Sequence, residues 1–297
     1  MGTQQKKKRY IRVLTIAGSD SGGGAGVQAD LKTIAASGCY ATSVITALTA
    51  QNTLGVKAIH PVPGAFVQKQ LEAVLSDIGS DAVKIGMLLN PELIELVAEQ
   101  LKKFRVKNIV LDPVMVAQSG DKLLEDEAVA ALKQHLIPLA DLITPNLPEA
   151  AVLLDRKISH HQDLAGAVSE LAQLGCANVL LKGGHLESED CREDENYLKD
   201  KDCREAENCD DFLYIGAQRK VCVFPATRIK TVNNHGTGCT LSSAIASGLA
   251  KGEGLEEAVR LAKEYITGAI AAGARYAIGN GRGPVDHFFR FFPVADD

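Results

Sequence analysis

Positive charge is not in excess in this 297-residue sequence. Its 32 Lys and Arg residues stand against 37 Asp and Glu residues, for a formal net charge of -5 at pH 7. A chain with this balance has no basic field to attract a polyanion, so nucleic acid is not expected as a partner. The sequence also has no apolar run as long as a signal peptide or a membrane span, so no membrane association is expected. Both absences favour a protein that acts on a small molecule.

Paired cysteine patterns are missing as well, although the sequence has seven cysteines. An odd number spread from Cys39 to Cys239 does not fit a disulfide framework, and no Cys-x-x-Cys pair with a matching partner suggests zinc. Unpaired cysteines are typical of a reducing compartment, so we expect a cytoplasmic protein. Hydrophobic residues make up 46% of the chain, which is ample for a sizeable core.

Neither an internal repeat nor a linker divides the chain, so residues 11–293 are expected to form a single domain. Residues 1–10 are polar and then basic, and we expect a disordered tail. Residues 187–211 are mostly acidic and have neither helical nor strand periodicity, which predicts a surface insertion. The three cysteines of this insertion have a spacing that matches no zinc pattern.

Short apolar strands alternate with amphipathic helices along most of the chain. This alternation predicts a three-layer α/β/α fold, in which a mostly parallel sheet is covered by helices on both faces and ligands bind outside the carboxyl ends of the strands. The predicted strands cover 11–17, 41–48, 82–85, 108–111, 141–144, 179–181 and a hairpin of 212–215 with 220–224; the predicted helices cover 27–37, 64–77, 91–103, 126–136, 163–174 and 256–274.

A loop with two glycines, Gly236 and Gly238, runs directly into an apolar helix rich in small residues. Glycines allow a sharp turn and a close approach to a ligand, and the free N–H groups of a first helical turn favour an anion such as phosphate. Cys239 lies on that first turn, where the same field favours its thiolate. The alternative is a common Gly-x-Gly turn with a small buried cysteine.

A second glycine-rich loop, residues 18–26, follows the first strand and precedes a helix. It lacks the acidic residue that a dinucleotide site requires after the second strand, so a generic turn remains open beside a polar ligand site. Asp30, on the following helix, is close enough to the loop to face its ligand. Gln51 follows the second strand and offers both a donor and an acceptor, which suits the edge of a heteroaromatic ring, although a solvated loop glutamine is the alternative.

Two carboxylates, Asp112 and Glu149, fall where predicted strands end and are expected on the same rim of the sheet. Magnesium binds such oxygen ligands together with substrate phosphates. A helix cap for Asp112 and a favourable helix-terminal charge for Glu149 are the alternatives. Lys182 follows a later strand, where it could meet a phosphate as a point charge.

Through these loops and strand ends together, the chain resembles the hydroxymethylpyrimidine/phosphomethylpyrimidine kinases of thiamine biosynthesis, in the ribokinase-like superfamily. The resemblance extends over nearly all of residues 11–293. Its specific motifs are AGSDSGGGAGVQADLK at 17–32, TALTAQN at 46–52, KIGM at 84–87, LDPVM at 111–115, TPNLPE at 144–149, KGGH at 182–185, HGTGCTLSS at 235–243 and GPVDH at 283–287.

The resemblance implies that MgATP phosphorylates 4-amino-5-hydroxymethyl-2-methylpyrimidine and then its monophosphate, and that the enzyme is a homodimer. It also implies a role for each matched position. Asp30 and Gln51 would hold the pyrimidine in a pocket lined by Gly18, Met87 and Val114; Asp112, Asn146, Glu149 and Lys182 would serve magnesium and the ATP phosphates; and the backbone of Gly236, Thr237, Gly238 and Cys239 would stabilise the transferring phosphoryl group.

Cys239 stands where sugar kinases of the superfamily have an aspartate base, so a base role requires its thiolate. The chain departs from the family in the long acidic insertion, in Gly22 for the usual serine and in Asn234 for the usual threonine. Two other functions remain open: pyridoxal kinase, against which the Gln51 amide argues, and a non-catalytic pyrimidine sensor on the same fold.

Overall fold

Strands and helices alternate through the computed structural model, which describes residues 8–115, 124–158, 163–184 and 209–292. The strands are β1 (Arg12–Asp20), β2 (Tyr40–Asn52), β3 (Gly55–Pro61), β4 (Ala82–Ile85), β5 (Ile109–Leu111), β6 (Leu142–Ile143), β7 (Asn178–Lys182), β8 (Asp211–Ile215) and β9 (Lys220–Phe224). The helices are α1 (Gly26–Ala36), α2 (Gly64–Ala73), α3 (Pro91–Lys103), α4 (Asp126–Ala131), α5 (Leu147–Leu154), α6 (Leu164–Ala172), α7 (Thr237–Ala250) and α8 (Leu255–Gly273).

All nine of these strands form one sheet in the order β3-β2-β1-β4-β5-β6-β7-β8-β9. The six strands from β2 to β7 in this order are parallel, whereas β3, β8 and β9 are joined by antiparallel pairing. The carboxyl ends of the parallel strands therefore meet at one edge. The strand order reverses at β1, between β2 and β4, and a crevice beside such a switch point is the usual place for a ligand in an open α/β sheet.

Alternating side chains along the strands build two separate cores, one on each face of the sheet. Leu14, Val83 and Leu181 point to the face that packs against α2 to α6. Their strand neighbours Val13 and Ala82 point to the opposite face, which packs against α1, α7 and α8. Burial on both faces explains why the parallel strands have continuous apolar sequences.

The largest difference from the sequence-based elements is in the second strand. The polar residues 49–52 were expected to follow it, but β2 continues to Asn52 and turns back into β3, which the sequence did not predict. Six of the seven residues of β3 are exposed, so the strand lacks the apolar alternation of a half-buried strand. We call the antiparallel pair formed by β3 and residues 47–52 of β2 the arm.

Two predicted segments lie wholly or partly outside the described residues. These are the tail, of which residues 1–7 are not described, and the insertion, of which 187–208 are not described. At the end of the predicted insertion, Asp211 belongs to β8, where it pairs with Lys182 of β7. Among the described helices, none combines the length and the apolar character needed to cross a bilayer.

Candidate active site

The glycine loop before α7 leads directly into the first turn of that helix. Gly236 has a φ of +80°, a left-handed conformation, and a Cβ atom there would overlap the carbonyl oxygen of Gly24. The backbone N–H groups of Gly238 and Cys239 have no hydrogen-bond partner in the described part of the chain. Two free N–H groups at the positive end of a 14-residue helix form an anion site.

A buried carboxylate lies directly beside this anion site. Asp112 follows β5, and its Oδ1 accepts hydrogen bonds from Lys182 Nζ at 2.8 Å and from Thr144 Oγ1 at 3.1 Å. Burial disfavours the charged form, but the charges of Lys182 and Lys84 outweigh it and lower the pKa of Asp112. A Cβ atom at Gly238 would lie 3.3 Å from Lys182 Nζ and 3.6 Å from Asp112 Oδ2. An anion on the helix N-terminus would therefore meet this ion pair.

Glu149 joins the same cluster from the start of α5. Its Oε2 accepts a hydrogen bond from the N–H of Asn146, and the Asn146 side chain accepts one from the N–H of Glu149, both at 2.8 Å. This capping box fixes both side chains. Lys182 Nζ lies 4.0 Å from Glu149 Oε2. Burial raises the pKa of Glu149 to about 7, against the opposing charge of Lys182. Glu149 is thus a helix cap and a member of the cluster.

Asp20 organises the glycine-rich loop between β1 and α1. Its two oxygens accept hydrogen bonds from the N–H groups of Gly22, Gly24 and Ala25 at 2.8 to 3.0 Å, and Oδ2 lies 2.8 Å from Nε2 of His235. Burial opposes ionisation of Asp20, but the hydrogen bond from His235 and those from the backbone outweigh it and lower the pKa. Since His235 immediately precedes the loop of α7, Asp20 ties the two glycine loops together.

Asp30 lies beneath the site, not at its surface. Its side chain is 0% exposed, and both oxygens accept hydrogen bonds from Lys84 Nζ at 2.9 Å. Thr15 Oγ1 and Ser243 Oγ donate to the same carboxylate at 2.5 and 2.8 Å. The expectation that Asp30 faces the ligand of the loop therefore does not agree with its position, because other elements enclose the carboxylate on all sides. Its direct contact with a pyrimidine stays a prediction that this burial does not support.

The thiol of Cys239 differs from the sequence-based expectation. Burial raises its pKa to about 11, with Asp30 and Asp112 adding to the rise and Lys84 opposing it. The N-terminal position on α7 was expected to favour the thiolate. Two nearby carboxylates and a low-dielectric environment favour the neutral thiol instead.

The residues predicted to line a pyrimidine pocket come from the ends of β1, β2, β4 and β5. Gly18 lies against Met87, since a Cβ atom at Gly18 would be 2.7 Å from Met87 Cε. Gln51 Oε1 accepts a hydrogen bond from Thr49 Oγ1 at 3.1 Å, and Gln51 Nε2 lies 3.3 Å from His235 Nε2. Val114 follows Asp112 and is partly exposed. The arm thus places Gln51 beside the loop of α7.

Three residues to which the sequence analysis gave no role support this arrangement: Asp20, Lys84 and His235. Two of them carry a sequence signal. Asp20 stands two residues before the glycine run 22–24, and Lys84 is the one charge in the otherwise apolar strand β4. His185, in the predicted KGGH motif, lies outside the described residues.

Comparison with known proteins identifies the family. Residues 20–286 match the phosphomethylpyrimidine kinase family. The chain is 49% identical over 280 residues to a hydroxymethylpyrimidine/phosphomethylpyrimidine kinase of Rhizobium meliloti, which covers 94% of this chain and 97% of the relative. It is also 49% identical over 284 residues to the thiamine biosynthesis bifunctional protein ThiED of Geobacter sulfurreducens, which covers 96% of this chain and 54% of the relative. The chain therefore spans about half of that bifunctional relative and nearly all of the single kinase.

Solved structures agree with this match and with the predicted three-layer ribokinase-like fold, which is confirmed. The phosphomethylpyrimidine kinase of Clostridium difficile is 46% identical, with a TM-score of 0.72 over 88% of this chain and 99% of that chain. An ADP complex of Bacillus subtilis pyridoxal kinase is 36% identical, with a TM-score of 0.81 over 95% of this chain and 100% of that chain. On the match over residues 20–286 and these relatives, the chain belongs to the phosphomethylpyrimidine kinase family.

Proposed function

We infer that this protein is an ATP-dependent kinase of thiamine biosynthesis. It phosphorylates 4-amino-5-hydroxymethyl-2-methylpyrimidine and then the resulting monophosphate, which yields the pyrophosphate. The observation that carries this function is the pair of free N–H groups on α7 beside the Asp112–Lys182 ion pair, in a chain whose relatives at 45 to 49% identity bear the name of this kinase.

Phosphoryl transfer needs positioning and charge stabilisation more than covalent chemistry. The N–H groups of Gly238 and Cys239 would bind the oxygens of the transferring phosphoryl group, and Lys182 would neutralise charge on the ATP phosphates. The capping box with Glu149 holds the Asn146 side chain at the start of α5. The neutral thiol of Cys239 makes it a poor base at pH 7, so we assign it to lining the transfer site and donating a hydrogen bond.

The donor set fits magnesium completed by nucleotide phosphates. Mg²⁺ is commonly held by one or two carboxylates together with phosphate oxygens and water. The described residues contain no group of three or more His, Cys, Asp or Glu residues that could hold a metal by themselves. Asp112 and Glu149 offer the two carboxylates, and a bound ion would neutralise charge on the phosphates.

We propose that Gln51 recognises the pyrimidine edge, with Gly18, Met87 and Val114 around the ring. An amide can donate and accept at once, which matches an aminopyrimidine better than the phenol of pyridoxal. Pyridoxal kinase is the second candidate, because solved pyridoxal kinases are 32 to 36% identical and superpose closely.

The experiment that separates the candidates is a parallel assay of hydroxymethylpyrimidine, its monophosphate and pyridoxal with ATP, with each product followed by mass. The proposed function requires both pyrimidine products. In a Gln51→Met variant, kcat/KM for the pyrimidine should fall about 10²-fold or more, since a buried polar edge would lose its partner, while the pyridoxal rate should change little. Phosphorylation of pyridoxal alone would overturn the pyrimidine assignment.

We also propose a homodimer, as the family resemblance implies. The arm ends the sheet with the edge strand β3, whose one partner among the described strands is β2, and it carries exposed apolar side chains at Leu48, Val56 and Ile59. Phe66, at the start of α2, is 58% exposed. An exposed apolar edge strand is a surface that another chain can cover. Light scattering should give twice the monomer mass, and Ile59→Asp with Phe66→Asp should halve it. A monomer in the parent protein would contradict the proposal.

A further inference from the structure

A second ion pair lies deeper than the Asp112–Lys182 pair and has no role in the function described above. Lys84, on β4, and Asp30, on α1, are both 0% exposed. The ammonium nitrogen lies 2.9 Å from each oxygen of the carboxylate. Removing two charges from water is costly, and an apolar pair of similar volume is often at least as stable. Stability alone is therefore a weak reason for charges at this place.

The pair connects the elements that carry the reaction site. Asp30 also accepts hydrogen bonds from Thr15 on β1 and Ser243 on α7. Ser243 follows Cys239 by four residues, so the two lie on the same side of α7, one turn apart. The carboxylate thereby joins β1, β4, α1 and the face of α7 that presents Cys239. This is also the switch point of the sheet, between β1 and β4.

The positive charge of Lys84 reaches the site itself. An ammonium group has three N–H donors, and among the described residues Lys84 hydrogen-bonds only to Asp30. Burial opposes its charge, but the negative charges of Asp30 and Asp112 outweigh burial and raise the pKa of Lys84. The space above the nitrogen is kept open by Gly86, where a Cβ atom would lie 2.9 Å from Nζ. A side chain at this position of the KIGM motif would displace the ammonium group.

We propose that Lys84 is a positioning residue for phosphoryl transfer, held by Asp30, that fixes α7 against the sheet and supplies positive charge beneath Cys239. The proposal rests on the kinase function inferred above. It accounts for the enclosed position of Asp30, which then serves as the counter-ion of Lys84 and not as a ligand of the pyrimidine.

The first test measures the Cys239 thiol and needs no turnover. Asp30→Asn leaves the Lys84 cation without its counter-charge, and Lys84→Met with Asp30→Asn removes both charges. The rate of iodoacetamide alkylation of the Cys239 peptide is followed by mass spectrometry against pH. The alkylation midpoint should fall by about one pH unit in Asp30→Asn and return towards the parent value in the double variant. Equal midpoints in all three proteins would overturn the proposal.

The second test measures kcat and KM separately in the double variant. It should lose about 10²-fold in kcat, while KM for ATP stays within about threefold, as expected for a group that acts on the transition state. The matched control is Arg12→Met with Asp81→Asn, which removes an ion pair of 2.8 Å at the amino ends of β1 and β4, away from the site. The control should lower the melting temperature and leave kcat unchanged. A double variant that loses stability but keeps its kcat would make the pair purely structural and overturn the proposal.

A milder variant keeps the proposal testable if the double variant does not fold. Ser243→Ala removes only the hydrogen bond between α7 and Asp30 and should lower kcat about three- to tenfold with KM unchanged. Full kcat in Ser243→Ala would count against the proposal. Absence of turnover with every substrate would refute the kinase function, while the alkylation midpoints would still decide how Lys84 acts on Cys239.

Discussion

At the scale of single residues, Gly236 is the position where backbone geometry most directly limits the chemistry. A side chain there would need a left-handed φ of +80° and would overlap the carbonyl of Gly24. We predict that Gly236→Ala lowers kcat/KM at least 10²-fold. The loop must move, and the N–H groups at the start of α7 then no longer point at the phosphoryl group. The matched control is Gly252→Ala, with a φ of +88° and nothing within 4 Å, which carries the strain without the collision.

The control variant should lose about 1 to 2 kcal/mol of stability and keep its kcat. Cys239→Ala should retain more turnover than Gly236→Ala, since a neutral thiol contributes less than the backbone that holds it. An inactive Cys239→Ala enzyme beside an active Gly236→Ala enzyme would contradict this order.

Glu149 gives a pH-dependent prediction at the same scale. Its pKa rises from 4.5 in the unfolded reference to about 7 in the folded protein. The folded state therefore binds more protons between these values, and the Glu149 contribution to stability falls as the pH rises from about 4.5 to 7. Glu149→Gln should stabilise the free protein relative to the parent by about 1 to 3 kcal/mol more at pH 8 than at pH 5.

Thermal denaturation of both proteins at the two pH values, without nucleotide or metal, measures this difference. The same variant should bind magnesium nucleotide more weakly, because a carboxylate is lost. A stability difference that does not vary between pH 5 and pH 8 would show that Glu149 is ionised in the free enzyme throughout.

At the scale of elements, the two glycine loops act as one unit because Asp20 binds both. Asp20→Asn replaces one acceptor oxygen with a donor, so at least one backbone N–H or the contact to His235 loses its partner. We predict that KM for the pyrimidine rises about tenfold and stability falls by about 1 to 3 kcal/mol. An unchanged KM for the pyrimidine in Asp20→Asn would argue against a linked pair of loops.

Elements were predictable where burial produces periodicity. The helices at 91–103 and 256–274 and the strand at 82–85 agree with the structure to within a residue or two, because each buries a regular apolar pattern. The arm was missed because β3 is exposed on nearly all of its length, so its residues follow no apolar pattern. Backbone pairing with β2, not side-chain burial, makes it a strand.

At the scale of the whole molecule, the sheet explains which site residues the sequence could place. Asp112, Asn146 and Lys182 each follow or end a parallel strand, so their meeting at one edge follows from the alternation of strands and helices. The complete burial of Asp30 could not be predicted from this alternation of strands and helices. It depends on Lys84, Thr15 and Ser243 converging from three other elements, and no local pattern records that convergence.

The raised pKa of Cys239 departs from the sequence-based expectation for the same reason. The helix N-terminus is visible in the sequence, whereas the carboxylates of Asp30 and Asp112 approach the thiol only in the folded chain. Electrostatics at the switch point of the sheet is thus a property of the assembled molecule.

The central claim is that one site on this sheet transfers two phosphoryl groups in succession to one pyrimidine. The most direct measurement is mass spectrometry of the products formed from hydroxymethylpyrimidine and MgATP over time, with Asp112→Asn as the inactive reference. The account predicts a monophosphate that rises and then falls as the diphosphate accumulates, with two ADP formed for each diphosphate. Hydroxymethylpyrimidine that stays unphosphorylated, or activity confined to pyridoxal, would contradict the account.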